Sequence, residues 1–363
     1  MPGVGTARFG GRRTGGALPR LLLAARTNTP LRPLRVGLGS GFRRLWLKLE
    51  MGNPTGSVKY RTALGLLATL DVERPLLPGS RVVESTSGNL GLALAHVLGG
   101  LDCQLVAVVD PKVPPDTRAQ LESMGAEVVA IHERDDHGGY LLTRLAKVRQ
   151  LCRADPDLRW TNQYQNPANP NVHRDTVADE LVRQTGGSVD AVLVAVSTGG
   201  TLAGISDGLR SGAPAARIYA VDVRGSVVTS DESGPHLLTG IGATRKSSFL
   251  RRAHYDAAVR VTDVEAFAYC RMLARDTGLA LGGSSGAVLA AFVQAGGAPE
   301  GSGSGLAAAR CAAAVMADGG ANYRATFYDD GWLAAHGVLD GVRAAEAVAR
   351  ERGVRFDLEG GGR

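Results

Sequence analysis

Short apolar runs alternate with helical patterns along most of this 363-residue chain, and that rhythm restricts the fold more than any other feature. Residues 81–84, 104–109, 127–131, 190–196, 218–223, 259–262 and 311–316 each read as a short strand, as does the alternating Leu45-Trp46-Leu47-Lys48-Leu49-Glu50. Helical spacing fills the gaps, as in Leu141, Leu145 and Val148 or across residues 116–124, 172–184 and 264–277. Strands and helices in turn imply an α/β protein built on parallel sheet. The length suits about two domains, and 44% hydrophobic with 21% charged residues leaves enough apolar surface for packed cores. A polar loop, residues 162–170, interrupts the rhythm and is the candidate domain junction.

The charge needs dividing before it is interpreted. The net charge is +6, but residues 1–26 hold Arg8, Arg12, Arg13, Arg20 and Arg26 and no acid, which leaves the remainder at +1. A nucleic-acid partner would need basic residues spread over a folded face, so none is expected. The arginine- and glycine-rich stretch reads as a disordered extension. No apolar run reaches the length of a membrane span. Cys103, Cys152, Cys270 and Cys311 are scattered, with no C-x-x-C pair, which argues against a structural metal or a disulfide framework. A reducing compartment, the cytoplasm, is expected.

Four stretches carry chemistry. In Asn53-Pro54-Thr55-Gly56-Ser57-Val58-Lys59 a turn gives way to a helix, with Ser57 suited to the cap and Lys59 in the first helical turn. The helix dipole there lowers the pKa of an amine, as a Schiff-base lysine requires. An isolated lysine is more often a solvated surface residue. Ser197-Thr198-Gly199-Gly200-Thr201 follows a strand and opens a helix, a setting for a phosphate held by backbone N–H groups. Ser85-Thr86-Ser87-Gly88-Asn89 is a similar junction, suited to a carboxylate or to simple helix capping. Gly282-Gly283-Ser284-Ser285-Gly286 is a further helix start. The last three fall where an open α/β sheet binds ligands. There is no Walker A loop, and Phe42 stands where a dinucleotide fingerprint begun at Gly37 needs its third glycine.

Taken in order, Asn-Pro-x-Gly-Ser-x-Lys, Thr-Ser-Gly-Asn, Asn-Gln-Tyr-x-Asn-Pro-Ala-Asn-Pro, Thr-Gly-Gly-Thr and Gly-Ser-Ser-Gly resemble the cysteine synthase/cystathionine β-synthase family. These are fold type II pyridoxal-phosphate (PLP) enzymes, and the resemblance covers roughly residues 27–335. It implies a tryptophan synthase β-like fold of two open twisted sheets flanked by helices. The implied larger, PLP-phosphate-binding domain is residues 27–54 and 166–345, the smaller mobile one 55–165, and 346–363 a C-terminal tail. Lys59 would carry the cofactor, Asn89 would bond its ring hydroxyl, and Ser197, Thr198, Gly199, Gly200 and Thr201 would hold its phosphate. Ser284 would meet the pyridine nitrogen, and a hydroxyl there leaves that nitrogen unprotonated, unlike an aspartate. Thr86, Ser87 and Gln163 would take the substrate carboxylate. The family implies a homodimer.

Two departures narrow the resemblance. Ser197 replaces the first glycine of the usual Gly-Thr-Gly-Gly-Thr. The segments His137-Gly138-Gly139-Tyr140-Leu141-Leu142-Thr143-Arg144 and Val108-Val109-Asp110-Pro111-Lys112 resemble one branch, the N-(2-amino-2-carboxyethyl)-L-glutamate synthases. These serve 2,3-diaminopropionate assembly for siderophores and peptide antibiotics. Sulfide needs no charged pocket, whereas glutamate brings two carboxylates that an arginine can grip with paired hydrogen bonds. Arg144, Tyr164 and Ser197 are assigned to that task. The implied reaction is β-replacement on O-phospho-L-serine with glutamate as nucleophile. The alternatives are a cysteine synthase using O-phosphoserine or O-acetylserine with sulfide, and a catalytically silent member acting as a binding partner.

Overall fold

The computed structural model describes Leu23 and residues 28–86, 88–136, 138–296 and 305–359. Ser87, His137 and all of 1–26 except Leu23 lie outside the described residues. The strands in chain order are β1 (Leu31–Leu38), β2 (Gly41–Leu49), β3 (Arg81–Ser85), β4 (Gln104–Val109), β5 (Glu127–Ala130), β6 (Arg159–Trp160), β7 (Ala191–Ala195), β8 (Arg217–Val223), β9 (Ala257–Val261), β10 (Ala312–Met316) and β11 (Phe356–Leu358). They form two sheets, one in each of two compact units.

The unit formed by residues 59–172 holds a four-stranded parallel sheet in the order β5-β4-β3-β6. Its strands are nearly continuous apolar runs, as parallel strands covered on both faces must be. One side packs on Leu64, Leu67, Leu90 and Leu94 from the helices Lys59–Glu73 and Asn89–Gly99. The other side meets Val148 of the helix Leu141–Ala154.

The second unit combines residues 28–58 and 173–363. Its seven-stranded sheet runs β11-β1-β2-β10-β7-β8-β9, parallel from β2 to β9 and antiparallel at the β1 end. β1 and β2 form a hairpin whose register pairs Leu38 with Gly41. Gly39 takes φ +58° in the two-residue turn, which only glycine adopts freely and which matches strand twist. The glycines near Gly37 therefore make a hairpin and bind no dinucleotide. Leu34, Val36, Leu45 and Leu47 point into the core with the helices Asp263–Thr277 and Gly283–Gly296.

Two expectations need correction. Residues 346–359 are not a tail: the helix Leu339–Glu351 and β11 belong to the sheet unit, with Asp357 paired to Arg35. Residues 172–184 are not one uniform helix, since a π-helical turn, Arg174–Ala178, separates Ala168–His173 from Asp179–Gln184. The units divide at 58/59 and 172/173, a few residues past the boundaries expected at 54/55 and 165/166.

Candidate active site

Lys59 is the first residue of its helix, whose first turn holds no acid. Its approach is fixed from behind. The Val58 N–H donates to Ala317 O at 2.8 Å, and Ser57 forms an isolated bridge with Asp318. Farther back, Asn53 Nδ2 donates to the buried Glu50 carboxylate at 2.9 Å, which also accepts from Thr29 Oγ1 at 2.6 Å. Lys48, fully buried, pairs with Glu180 at 2.5 Å. These buried polar groups satisfy one another, as they must away from water, and they tie the turn to the sheet.

In the unit containing Lys59, the ends of β3 and β6 carry the expected donor-carboxylate residues Thr86 and Gln163. Thr86 Oγ1 accepts from the Gly88 and Gly91 N–H groups at 3.2 and 2.9 Å, so its oxygen caps the helix that Asn89 opens. Gly91 makes room, since a Cβ there would come within 2.8 Å of Thr86 Cγ2. Gln163 is held on three sides. Its Nε2 donates to Ser85 O at 2.7 Å, its N–H to Glu84 Oε2 at 2.9 Å, and its carbonyl accepts from Asn169 Nδ2 at 2.7 Å. Asn162, just before it, sits at φ +53°, a strained conformation of the sort that persists where surrounding contacts enforce it. Thr86 and Gln163 are thereby joined through Ser85, and Tyr164 follows half-buried.

Glu84 underlies this arrangement. Fully buried, its carboxylate accepts from Ser85 N–H, Thr161 Oγ1, Gln163 N–H and Trp160 Nε1. Burial pushes its pKa up, and those hydrogen bonds pull against the shift.

Arg144 is only 6% exposed. Its Nε lies 3.2 Å from Asp110 Oδ2 in an ion pair, and its buried Nε and Nη1 both lack a hydrogen-bond partner among the described residues. It is not a solvated helix arginine.

In the other unit, Ser197-Thr198-Gly199-Gly200-Thr201 follows β7 directly. Gly199 adopts φ +87° as N-cap of the helix Gly200–Gly212, which has no side-chain cap. The Gly200 N–H makes a long 3.4 Å contact to Thr198 Oγ1, and a helix start of this kind suits an anion. A Cβ on Gly199 would fall on Ser247 Oγ and 2.7 Å from Leu250 Cγ. Ser247 Oγ donates to Thr198 O at 2.5 Å, Ser197 Oγ to Gly242 O at 2.9 Å, and Thr201 Oγ1 lies 3.3 Å from His173 Nε2. Ser284 is buried in the first turn of the helix Gly283–Gly296. Cys270, beside that helix, is pushed up to about 12 by burial and donates to Gly282 O at 3.3 Å, so it is a packing thiol and no nucleophile.

A lysine opening a helix, a glycine-shaped anion cradle and a buried serine fit the chemistry of PLP. Sequence reasoning missed Glu84, Asp110, Ser247 and His173. Glu84 did leave a signal, as an acid closing the apolar Val82-Val83.

The model of the family described as pyridoxal-phosphate-dependent enzymes matches residues 22–306. The N-(2-amino-2-carboxyethyl)-L-glutamate synthase of Cupriavidus metallidurans is 39% identical over 307 residues, 85% of this chain and 89% of the relative. That of Ralstonia nicotianae is 38% identical over 293 residues, 80% and 84% of the two chains. Among solved structures, O-ureido-L-serine synthase superposes with a TM-score of 0.73 at 29% identity, covering 86% of this chain and 98% of its own. The O-acetylserine-dependent cystathionine β-synthase of Helicobacter pylori gives 0.73 at 28%, covering 84% and 97%. The fold type II architecture and PLP as cofactor are borne out, and the chain belongs to the family of pyridoxal-phosphate-dependent enzymes.

Proposed function

We propose that this enzyme joins the three-carbon unit of O-phospho-L-serine to the amino group of L-glutamate, giving N-(2-amino-2-carboxyethyl)-L-glutamate and phosphate. The observation that carries the reading is Arg144, a buried guanidinium paired in charge with Asp110 whose Nε and Nη1 lack a hydrogen-bond partner among the described residues. Leaving such a group unsatisfied costs about 1–3 kcal/mol or more, and a carboxylate of glutamate would satisfy it. The relatives bearing that synthase name support the choice.

PLP, when bound, withdraws electrons from the donor's Cα, so that the proton there and then the β-phosphate can depart. Lys59 Nζ carries the cofactor, accepts the Cα proton and later returns it. The backbone N–H groups from Gly199 to Thr201, with the Ser197 and Thr198 hydroxyls, hold the cofactor phosphate. Ser284 meets the ring nitrogen and Asn89 the ring hydroxyl. Thr86, Ser87 and Gln163 bind the donor carboxylate, with Gln163 kept in place by Glu84. Arg144, Tyr164 and Ser197 hold glutamate so that its uncharged amino nitrogen bonds to Cβ after the C–O bond to phosphate has broken, and that nitrogen then gives up one proton to solvent. In this reading the cofactor phosphate is held by the larger unit and the donor carboxylate by the smaller.

A cytoplasmic homodimer supplying 2,3-diaminopropionate for a siderophore or antibiotic completes the proposal. Among the described residues no helix is long and apolar enough to cross a membrane. Mass spectrometry of products from O-phosphoserine, offered glutamate or sulfide, tests the reaction. A glutamate adduct of the expected mass supports it, whereas cysteine formed in preference would replace it with the cysteine synthase reading.

A further inference from the structure

The Arg144 guanidinium has a partner of its own, and the shape of that partner's turn is informative. Asp110 is the first residue after β4, at the carboxyl end of the parallel sheet. Residues 110–113 form a turn in which the Val113 N–H donates to Asp110 O at 3.1 Å. Pro111 fills the second position, where its fixed φ favours this turn. Asp110 Oδ1 accepts from the Lys112 N–H at 2.8 Å, a second closure of the same turn. The carboxylate is therefore locked by its own backbone, with Oδ2 turned to Arg144 Nε at 3.2 Å. Both side chains are buried, each 6% exposed.

From this we infer that Asp110 is a positioning residue that determines how the acceptor is recognised. It places its charge against the Nε side of the Arg144 guanidinium as an ion pair and leaves the buried, unpartnered Nη1 for a carboxylate of the incoming amino acid. The inference rests on the proposed role of Arg144. A buried guanidinium deprived of its one ion partner among the described residues loses its reason to keep one geometry. Paired N–H···O contacts to a carboxylate require the fork to be held in plane. An acceptor lacking a second carboxylate gains nothing from the arrangement, so Asp110 acts on specificity and leaves donor recognition alone.

The test is a double-mutant cycle on the PLP-loaded enzyme, with Asp110→Asn, Arg144→Ala and the pair, reading KM for glutamate and for O-phosphoserine by product mass. Asp110→Asn should raise KM for glutamate about tenfold, the scale of one charge-assisted hydrogen bond, with KM for O-phosphoserine unmoved. In the Arg144→Ala background the same change should have no further effect, because a residue acting through another is non-additive with it. If Asp110→Asn folds poorly, Asp110→Ser removes the same charge while its hydroxyl still accepts from the Lys112 N–H. A rise in KM of equal size in both backgrounds, or equally for both substrates, would make Asp110 a structural residue and overturn the inference. So would a lowered KM for glutamate, which would mean that the carboxylate merely cancels charge. A wild type that forms no glutamate adduct would remove the reading of Arg144 itself, and this inference with it. A wild type that uses glutamate while Asp110→Asn behaves identically would overturn the role of Asp110 only.

Discussion

Replacing Gly199 by alanine isolates what the glycine in the anion cradle does. At φ +87° an L-residue with a Cβ costs roughly 1–2 kcal/mol of backbone strain. The new methyl would also fall on Ser247 Oγ and within 2.7 Å of Leu250 Cγ, and overpacking of that kind costs typically about 1–3 kcal/mol. Ser247 cannot simply rotate away, because its hydroxyl donates to Thr198 O at 2.5 Å and accepts from the Phe249 and Leu250 N–H groups. The loop itself must shift, taking its N–H groups off the phosphate. The combined cost of roughly 2–5 kcal/mol corresponds to a thirtyfold to several-thousandfold rise in the Kd for PLP. Titrating apoenzyme with PLP by absorbance measures it directly. Gly187→Ala is the matched control: φ is +74°, but a Cβ there meets nothing within 4 Å, so it carries the backbone strain alone. If Gly199→Ala binds PLP as the wild type does, or if Gly187→Ala weakens binding equally, the steric argument for the cradle is wrong.

Lys59→Ala should abolish turnover together with the borohydride-reducible link between PLP and protein; a variant that keeps the link would remove Lys59 from its role. Arg144→Ala should slow the joining of glutamate about ten- to a hundredfold without slowing any reaction with sulfide, measured by product mass in paired time courses. Stability should respond to Glu84 with a definite sign. Its folded pKa lies above the unfolded one, so the native state holds the extra proton and stability falls as pH rises from the ordinary carboxylate range through the raised value. Urea melts of Glu84→Gln across that window should show a shallower fall than the wild type, and parallel curves would refute the assignment. A chain beginning at Thr27 should keep its melting temperature and activity, and a large loss in either would give the arginine-rich stretch a structural role.

The parts of this protein written in local chemistry were legible. Glycine and hydroxyl punctuation after apolar strands located the cradle, the Thr86–Asn89 junction and the Ser284 helix, because backbone conformation and N–H exposure depend on neighbours in sequence. Longer-range pairing hid the rest. β1 escaped notice since Pro33 and two arginines, Arg32 and Arg35, break its alternation, and only β2 and β11 on either side make it a strand. β11 itself, three residues long, has no strand signature apart from its partner. A guanidinium such as Arg144 looks solvated on a helix face, and its burial follows from Asp110 on a different element. The π-helical turn Arg174–Ala178 left no sign in a sequence that otherwise propagates a helix.

The order in which the larger sheet is stitched bears on how the chain is made. β2 has β1 on one side and β10 on the other, and β10 leaves the ribosome more than 260 residues later. At roughly 5–20 residues per second that interval is on the order of 15–50 s. The hairpin of β1 and β2, with Leu34, Val36, Leu45 and Leu47 destined for full burial, must wait with an open edge and an uncovered apolar face. The unit of residues 59–172 is one uninterrupted stretch and can be complete well before then. In a growing polypeptide, the part of this enzyme most exposed to misassociation is thus its own beginning, and a chaperone that shields the first fifty residues would act where the delay is longest.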